Sequence, residues 1–572
     1  MKVVIIGGVA GGASCAARLR RLNEDAEIIM LERGPYISFA NCGLPYYVGK
    51  EISARENLLL QTPERFKARF NIDARVYNEA LSINREEQTI LVKNLETGKE
   101  YTESYDKLLI ATGSSPLRPD IKGINSARVH SATTIPDIDA IVKNISNINK
   151  KPGHAIVIGG GFIGLEMCEN LKHLGMEVSL VEGNYQLMHT LDAEMSAYIH
   201  KELEAHDVEL YLGERVVAFN DSKNSITVKM KSGTQITGDL VILAIGVRPN
   251  SAIAKQAGLE LGNFNGIVVN EELRTNDENI YAVGDAVEVV NTISEVPCLI
   301  PLAGPANKQG RMAADNIAGN NKLYYGSQGT SIIRIFDLDV ASTGLNTQTL
   351  ISYGLQYGID FKTALIVQKS HAGYFPGATP VTIKIIYSKN ECILGAQVVG
   401  KEGVDKHIDI LSTVIHFGGT LCDLCDLELS YAPPFSSAKA PVNMAGFTME
   451  NIEDGIVRFC EFDSCDTEFW EEDSEYDPYC SAVLLDVRET QEFVNFAVPG
   501  SINLPLGQIR NLSNEELFEL FEIDNFNEPI IIFCATGPRA HTASRILLQR
   551  GFTNVMVYPG GTYHYRATHT WE

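Results

Sequence analysis

Two stretches of the chain repeat one pattern of apolar and polar positions. Lys2–Glu32 opens on the apolar run Val3–Ile6, passes through glycines, continues at helical period and closes on a second apolar run ending at Glu32. His154–Glu182 does the same, starting from Ala155–Ile158. A short apolar run that enters glycines reads as a buried strand. The helix that starts in those glycines completes a strand–loop–helix–strand unit. Each unit has a matching later strand-turn signal, Leu108–Gly113 and Val241–Gly246. The duplication predicts two nucleotide-binding domains, one inserted in the other.

Beyond about Gly329 the pattern changes. Strand-like runs appear at Thr363–Gln368, Val381–Tyr387 and Cys392–Val399, followed by an amphipathic stretch from Gly403 to Phe417. This predicts an α+β domain. Glu450–Tyr479 is strongly acidic and reads as a linker, with a short ordered arm as the plainer alternative. Ala482–Glu572 alternates short strands (Val483–Val487, Ile530–Phe533, Val555–Val557) with helical stretches, a small α/β domain. The predicted division is 1–115 with 250–328, 116–249, 329–447, a linker over 448–479, and 480–572.

Composition narrows the function classes. The chain has 572 residues, too many for one hydrophobic core. Its longest apolar runs fall far short of the roughly 20 residues a bilayer requires, and no signal peptide is recognised at its start. The formal net charge of −24 argues against nucleic acid and anionic membrane as partners. An anionic substrate therefore needs a local patch of Arg and Lys. The 11 cysteines are scattered, which reads as reduced cytoplasmic thiols and not a disulfide framework.

The first glycine loop is Gly7-Gly8-Val9-Ala10-Gly11-Gly12, with Val9 where the usual motif has its middle glycine. Its context carries the reading: a strand before, a helix after, and Glu32 lying 20 residues past Gly12. Glycines let the backbone approach a pyrophosphate, the helix N-terminus favours its charge, and the carboxylate accepts from ribose hydroxyls. The second loop, Gly159-Gly160-Gly161-Phe162-Ile163-Gly164, has all its glycines and leads to Glu182. No Arg or Lys follows in Gly183–Gln186 to receive a 2′-phosphate, so NADH is favoured over NADPH. Thr275–Ala286 resembles the second flavin motif of the two-dinucleotide disulfide reductases, whose aspartate, here Asp285, holds the ribityl chain. That resemblance makes the first domain the FAD site and the inserted one the NADH site.

Ser38–Tyr46 follows the first unit closely and contains Cys42. A cysteine here can lie against a flavin and exchange electrons with it as thiolate. Reductases of the glutathione type carry a second cysteine five residues on, where this chain has Tyr47. A lone Cys42 needs an external partner: sulfenic acid, as in NADH peroxidases and oxidases, or a mixed disulfide with a small thiol. Peroxidases of this superfamily carry a histidine in the first glycine loop, and Ala10 stands there instead.

Gly7–Pro45, Pro301–Arg311 and Tyr431–Lys439 closely resemble the coenzyme A-disulfide reductases, over about residues 1–447. The resemblance implies that CoA contacts Ser14, Arg18, Arg21, Ser38, Phe39, Asn41, Asn307 and Lys439. Arg18 and Arg21 lie three apart on one helix face, a spacing that suits phosphates and equally suits a solvated basic face. FAD would be met by Gly7, Val9, Ala10, Gly12, Glu32, Arg33, Asn41, Cys42, Ala80, Ala111, Thr112, Gly113, Asp285 and Ala303. NADH would be met by Gly159, Gly161, Gly164, Glu182 and Gly246. The family also places Tyr374 and Tyr431 of a partner subunit near the cysteine, which implies a homodimer with a shared active site. The plainer reading of both is interface tyrosines.

The C-terminal segment carries its own chemistry. Leu485–Glu489, Glu492 and Val498–Pro505 match the rhodanese pattern, departing at Phe496-Ala497 where that family often has Gly-His. Its loop, Cys534-Ala535-Thr536-Gly537-Pro538-Arg539, follows an apolar run and leads into a helix over Ala540–Arg550. Successive N–H groups there form an anion nest, with Arg539 expected to assist the sulfur. A phosphatase loop needs a longer Cys-to-Arg spacing.

The fold class expected is therefore α/β, with two Rossmann-like dinucleotide-binding domains, an α+β dimerisation domain and a C-terminal α/β rhodanese domain. The whole chain resembles NADH-dependent persulfide reductases of the CoA-disulfide reductase group. The implied activity is reduction of CoA persulfide or polysulfide at Cys42, with Cys534 handling sulfane sulfur. A plain CoA-disulfide reductase is the alternative. An NADH oxidase or peroxidase and a redox-sensing binding protein are further rivals. No metal site is expected, since Cys422 and Cys425 form a lone pair. Cys460 and Cys465 are placed in the linker and Cys168 in a core.

Overall fold

The computed structural model describes residues 1–148, 152–460 and 482–569. Its sheets explain the repeat. In the first unit a parallel sheet runs Ile280–Ala282, Lys107–Ile110, Lys2–Ile6, Glu27–Leu31, Asp73–Arg75. In the second the order is Val208–Tyr211, Glu177–Val181, His154–Ile158, Leu240–Leu243, Val129–His130, again all parallel. The strand before each glycine loop is central in its sheet. Val3 and Ile5 pack on one face with Leu19 and Ala313, and Val4 and Ile6 on the other with Ile280. Both faces are covered, so these runs are continuously apolar and do not alternate.

Each module also carries a three-stranded antiparallel sheet. One is Asn78–Asn84, Thr89–Asn94 and Glu100–Ser104; the other is Val216–Asp221, Ile226–Met230 and Gln235–Gly238. Sequence patterning missed this second level of duplication because the strands are short and half exposed.

The α+β region holds a five-stranded antiparallel sheet, in the order Ser331–Ile335, Leu338–Gly344, Ile393–Gly400, Pro380–Ser388, Phe361–Lys369. Helix Val404–His416 falls on the amphipathic stretch. The C-terminal α/β sheet runs Ile502–Asn503, Val483–Asp486, Ile530–Phe533, Val555–Val557, all parallel.

Compactness groups these modules into two units, residues 1–188 with 203–329, and 189–202 with 330–572. The inserted segment 116–249 thus gives up residues 189–202. The reason is a buried polar network within the second unit. Asp192 accepts from Gln397 Nε2 at 2.8 Å, and Lys384 is paired with both Asp192 and Glu194. Asn346 donates to the His189 carbonyl at 2.8 Å. A buried lysine needs such partners.

The linker begins later than the composition suggests. Helix Pro441–Glu453 runs past 447, and Val457 and Cys460 are buried in cores of the C-terminal α/β module. Cys460 is therefore a core residue, because Phe459 bridges to Val557 and draws this segment onto the sheet. Cys465 and the acidic run Glu471–Asp473 lie outside the described residues. Cys168 is fully buried, as expected. Among the described residues no helix is long and apolar enough to cross a membrane.

Candidate active sites

The two glycine loops are built alike. A Cβ on Gly7 would strike the Ala111 carbonyl, and one on Gly159 the Ala244 carbonyl; both residues sit at positive φ, 104° and 106°. Gly12 and Gly164 each leave room for the carbonyl of the loop's first glycine. Helices Ala10–Leu22 and Phe162–His173 begin with no side-chain cap, at Val9 and Gly161. Their first N–H groups are left for a ligand, and the space around Gly161 is open. Glu32 accepts from Gly8 N at 3.0 Å and Gly34 N at 2.7 Å; Glu182 accepts from Gly160 N at 2.7 Å and Asn184 N at 3.0 Å. Each carboxylate is thereby fixed where a ribose would sit. These features fit dinucleotides at both loops.

Around the first loop, Thr112 Oγ1 donates to the Asn250 carbonyl at 2.8 Å, and Asn250 N donates to the Gly113 carbonyl at 2.9 Å. Asp285 lies in the turn Gly284–Ala286 and accepts from Ser114 Oγ at 3.0 Å. Burial raises its carboxyl above the ordinary range. Ala303 starts helix Ala303–Ile317, which crosses Ala10–Leu22 where Gly310 faces the Gly11 backbone. Ala80 sits at a bulge in its antiparallel strand, and Arg33 is exposed just past Glu32. In the second module Gly246 takes φ 107°, and its carbonyl accepts from Leu117 N at 2.9 Å.

Cys42 is the exposed centre of the turn Asn41–Gly43, ahead of helix Leu44–Val48. Its Sγ lies 3.9 Å from Asn41 Oδ1. Desolvation, then the Glu166 and Asp285 carboxylates, push its thiol above the usual range. Tyr46, on the helix after the turn, donates to Glu166 Oε1 at 3.2 Å. Burial brings the Glu166 carboxyl up to about 7. Sequence reasoning missed this pair.

An open cavity of about 360 Å³ lies beside the crossing helices. Ser14, Arg18, Arg21, Ser38 and Asn307 line it together. Ser38 adopts φ 46° and donates its N–H to the Gly8 carbonyl, so the segment leading to Cys42 is pinned to the glycine loop. Arg18 is held by Asp315 through two bonds of 2.7 and 3.1 Å, and Ser14 Oγ donates to Asn307 Oδ1 at 2.5 Å. Arg21 lies over the Phe70 ring at 5.2 Å. Gln61, Phe66, Phe70 and Arg311 complete the wall. Phe66 and Phe70, one turn apart on helix Pro63–Phe70, were the available signal for an aromatic wall. Phe39 and Asn41 do not line this cavity. Lys439 is exposed in the second unit, ahead of helix Pro441–Glu453. In that unit Tyr374 and Tyr431 meet hydroxyl to hydroxyl at 2.9 Å, both exposed.

In the C-terminal module Cys534 is buried at the end of strand Ile530–Phe533. Gly537 N donates to its sulfur at 3.0 Å, with Gly537 at φ 118°. The helix starts at Pro538, two residues earlier than expected. Arg539 is not aimed at the sulfur alone. It is tied to Glu492 by bonds of 2.6 and 2.8 Å, which hold that carboxyl down to about 2. The loop N–H, not the guanidinium, makes the hydrogen bond to the thiol. The loop is braced from behind, since Thr562 N donates to the Cys534 carbonyl at 2.7 Å. The Cys422 and Cys425 thiols are free on helix Leu421–Asp426.

Comparisons with known proteins agree with this geometry. The model of the pyridine nucleotide-disulphide oxidoreductase family matches residues 1–310, its dimerisation domain matches 330–441, and the rhodanese-like domain matches 468–568. The coenzyme A disulfide reductase of Staphylococcus haemolyticus is 34% identical over 453 residues, 79% of this chain and all of that protein. The crystal structure of reduced Bacillus anthracis CoADR-RHD is 47% identical with a TM-score of 0.90, covering 99% of this chain and 98% of that one. An NAD-dependent persulfide reductase from A. fulgidus is 34% identical with a TM-score of 0.90, covering 99% and 100%. The chain belongs to the pyridine nucleotide-disulphide oxidoreductase family, with that family's dimerisation domain and a C-terminal rhodanese-like domain.

Proposed function

We propose that the protein is an NADH-dependent flavoprotein that reduces CoA persulfide and related polysulfides at Cys42, with Cys534 handling sulfane sulfur. The observation that carries this reading is the cavity in which Ser14, Arg18, Arg21, Ser38 and Asn307 converge on the segment that presents Cys42. It concentrates three arginines, with Arg311, in a chain of net charge −24. Such a patch suits the phosphates of CoA. The relatives named for CoA disulfide and for persulfide support the same substrate class.

When bound, FAD and NADH supply the electron pair for the reduction. The first glycine loop, Glu32 and Asp285 hold the flavin nucleotide; the second loop and Glu182 hold NADH. Arg18, braced by Asp315, and Arg21 orient the CoA phosphates. The Cys42 thiolate attacks the CoA-bound sulfur of the persulfide, forming an S–S bond to CoA while hydrosulfide leaves. The electron pair then breaks that bond, restoring the Cys42 thiolate and releasing CoA as thiolate. Ala10 offers no acid or base for peroxide, which disfavours the oxidase and peroxidase readings. In the homodimer we infer from the dimerisation domain, Tyr374 and Tyr431 of a second copy would donate to the leaving thiolate, and Lys439 would complete the CoA site. We place the enzyme in the cytoplasm, with its thiols reduced. The domain division is the one read from the sequence, with residues 189–202 grouped with the second unit and residues 448–460 given to ordered structure.

A CoA-disulfide reductase uses the same cavity and the same thiol, and it is the second reading. Two measurements test the site. Mass spectrometry of the Cys42 peptide from unreduced protein should find CoA in disulfide linkage; a different thiol, or sulfenate, would contradict the assignment. Arg18→Ala should raise the KM for CoA substrates about tenfold, the worth of one charge-assisted hydrogen bond, and leave the KM for NADH unchanged. Equal effects on both constants would remove Arg18 from the CoA site.

A further inference from the structure

The C-terminal module carries an open cavity of about 560 Å³ beside helix Pro538–Gln549. Three arginines line it: Arg545 on that helix, Arg550 just past its end, and Arg510 just past helix Leu506–Ile509. Elsewhere in the module arginines are neutralised, Arg488 by Asp486 and Arg539 by Glu492. Arg510, Arg545 and Arg550 have no carboxylate partner among the described residues. Two of them are nonetheless fixed. Arg545 donates to the Ile456 carbonyl at 2.9 Å, and Arg550 to the Ile509 and Arg510 carbonyls at 3.1 and 3.2 Å. A carbonyl orients a guanidinium without cancelling its charge, and further N–H donors are left over. The Arg510 side chain is exposed and makes no hydrogen bond among the described residues.

His541, one turn into the helix, is a fourth wall residue, and its buried Nε2 has no hydrogen-bond partner among the described residues. A buried polar atom without a partner is costly, and an anionic oxygen would accept from its N–H form. Three uncompensated guanidinia thus gather in a chain of net charge −24. A multiply charged anion relieves their mutual repulsion, and a guanidinium meets a phosphate edge with two parallel bonds. The volume is that of a ligand pocket and exceeds a bare phosphate. The helix beside it starts directly after the Cys534 loop, and its 12 residues span about 18 Å. The extended pantetheine arm of CoA has a comparable length.

We propose that this cavity is a second anion site, holding the phosphates of the CoA that takes sulfane sulfur from Cys534. The CoA thiolate attacks the outer sulfur of the Cys534 persulfide. The bond between the two enzyme-held sulfurs breaks, CoA persulfide forms, and Cys534 is left as thiolate, with no net oxidation or reduction. The product is the compound proposed as substrate for Cys42.

The inference rests on Cys534 as the sulfane-sulfur site, and two arms separate the two. In the first, flavin-loaded full-length protein is reduced with dithiothreitol, freed of it and dialysed to equilibrium against CoA. It should bind two CoA per chain. Arg510→Ala, which removes no bond of the fold, should weaken one site about tenfold, the worth of one charge-assisted hydrogen bond. Arg510→Lys should recover part of that loss. One CoA per chain in the parent, or two sites that Arg510→Ala leaves unchanged, overturns the inference. Inorganic pyrophosphate that binds the second site as tightly as CoA overturns it too, since the site would then serve free phosphates. In the second arm thiosulfate charges Cys534 without NADH, and CoA, pantetheine or cyanide accepts the sulfur. Arg510→Ala should raise the KM for CoA about tenfold, with kcat and the KM for pantetheine near the parent's. Transfer to cyanide but not to CoA overturns the inference. No transfer to any acceptor would defeat the functional reading of Cys534, and the dialysis would still judge the cavity.

Discussion

Cys42→Ser protein will still pass electrons from NADH to its flavin, and its turnover of CoA persulfide and CoA disulfide will fall by at least about a thousandfold. A hydroxyl at this turn is not ionised near neutral pH and cannot form the S–S bond the cycle requires. The turn Asn41–Gly43 is set by backbone bonds, Gly43 N to the Ala40 carbonyl and Ser38 N to the Gly8 carbonyl, so the substitution leaves its shape intact. Neither glycine loop depends on the sulfur. Stopped-flow absorbance follows flavin reduction and thiol assays follow turnover. Sulfur turnover that survived the substitution would mean the substrate is reduced elsewhere.

The second large effect belongs to the other sulfur. Cys534→Ala will abolish sulfane-sulfur transfer from a donor such as thiosulfate, by at least about a thousandfold, and leave NADH-driven CoA-disulfide reduction unchanged. The loop around Cys534 presents an N–H at 3.0 Å from the sulfur, an arrangement that stabilises a terminal persulfide anion. Its rear is fixed. Helix Gly561–Thr568 bonds the loop through Thr562 N, and His564 Nδ1 on that helix meets Tyr198 OH at 2.9 Å. Tyr198 in turn accepts from Thr382 of the antiparallel sheet at 3.0 Å. The rhodanese loop is thus braced against its own unit. A parallel loss of reductase activity in Cys534→Ala would show that the two sulfurs work in obligate series.

The sites were legible in the sequence to different depths. Both glycine loops, Glu32, Glu182 and Cys534 stand in short contiguous motifs whose local geometry is nearly self-determined. Ser14, Arg18, Arg21, Ser38 and Asn307 came from resemblance, because their convergence on one cavity depends on a crossing of two helices distant in sequence. Arg18 and its brace Asp315 are 297 positions apart, and Tyr46 and Glu166 are 120 apart. No spacing rule connects such partners. The acidic composition after Glu450 concealed a helix end and a buried segment, since Phe459 and Cys460 are recruited by a sheet that forms about a hundred residues later. Arg539 is also tied to Glu492, 47 positions earlier, a pairing that the loop motif by itself does not show.

On the proposed reading, sulfur bound to CoA is reduced at Cys42, with persulfide as the preferred form. Steady-state NADH oxidation by the intact enzyme, with CoA persulfide and CoA disulfide compared under one condition, decides it. A higher kcat/KM for CoA persulfide is expected, with hydrosulfide appearing as NADH is consumed. A large preference for CoA disulfide, with no hydrosulfide formed from the persulfide, would contradict it.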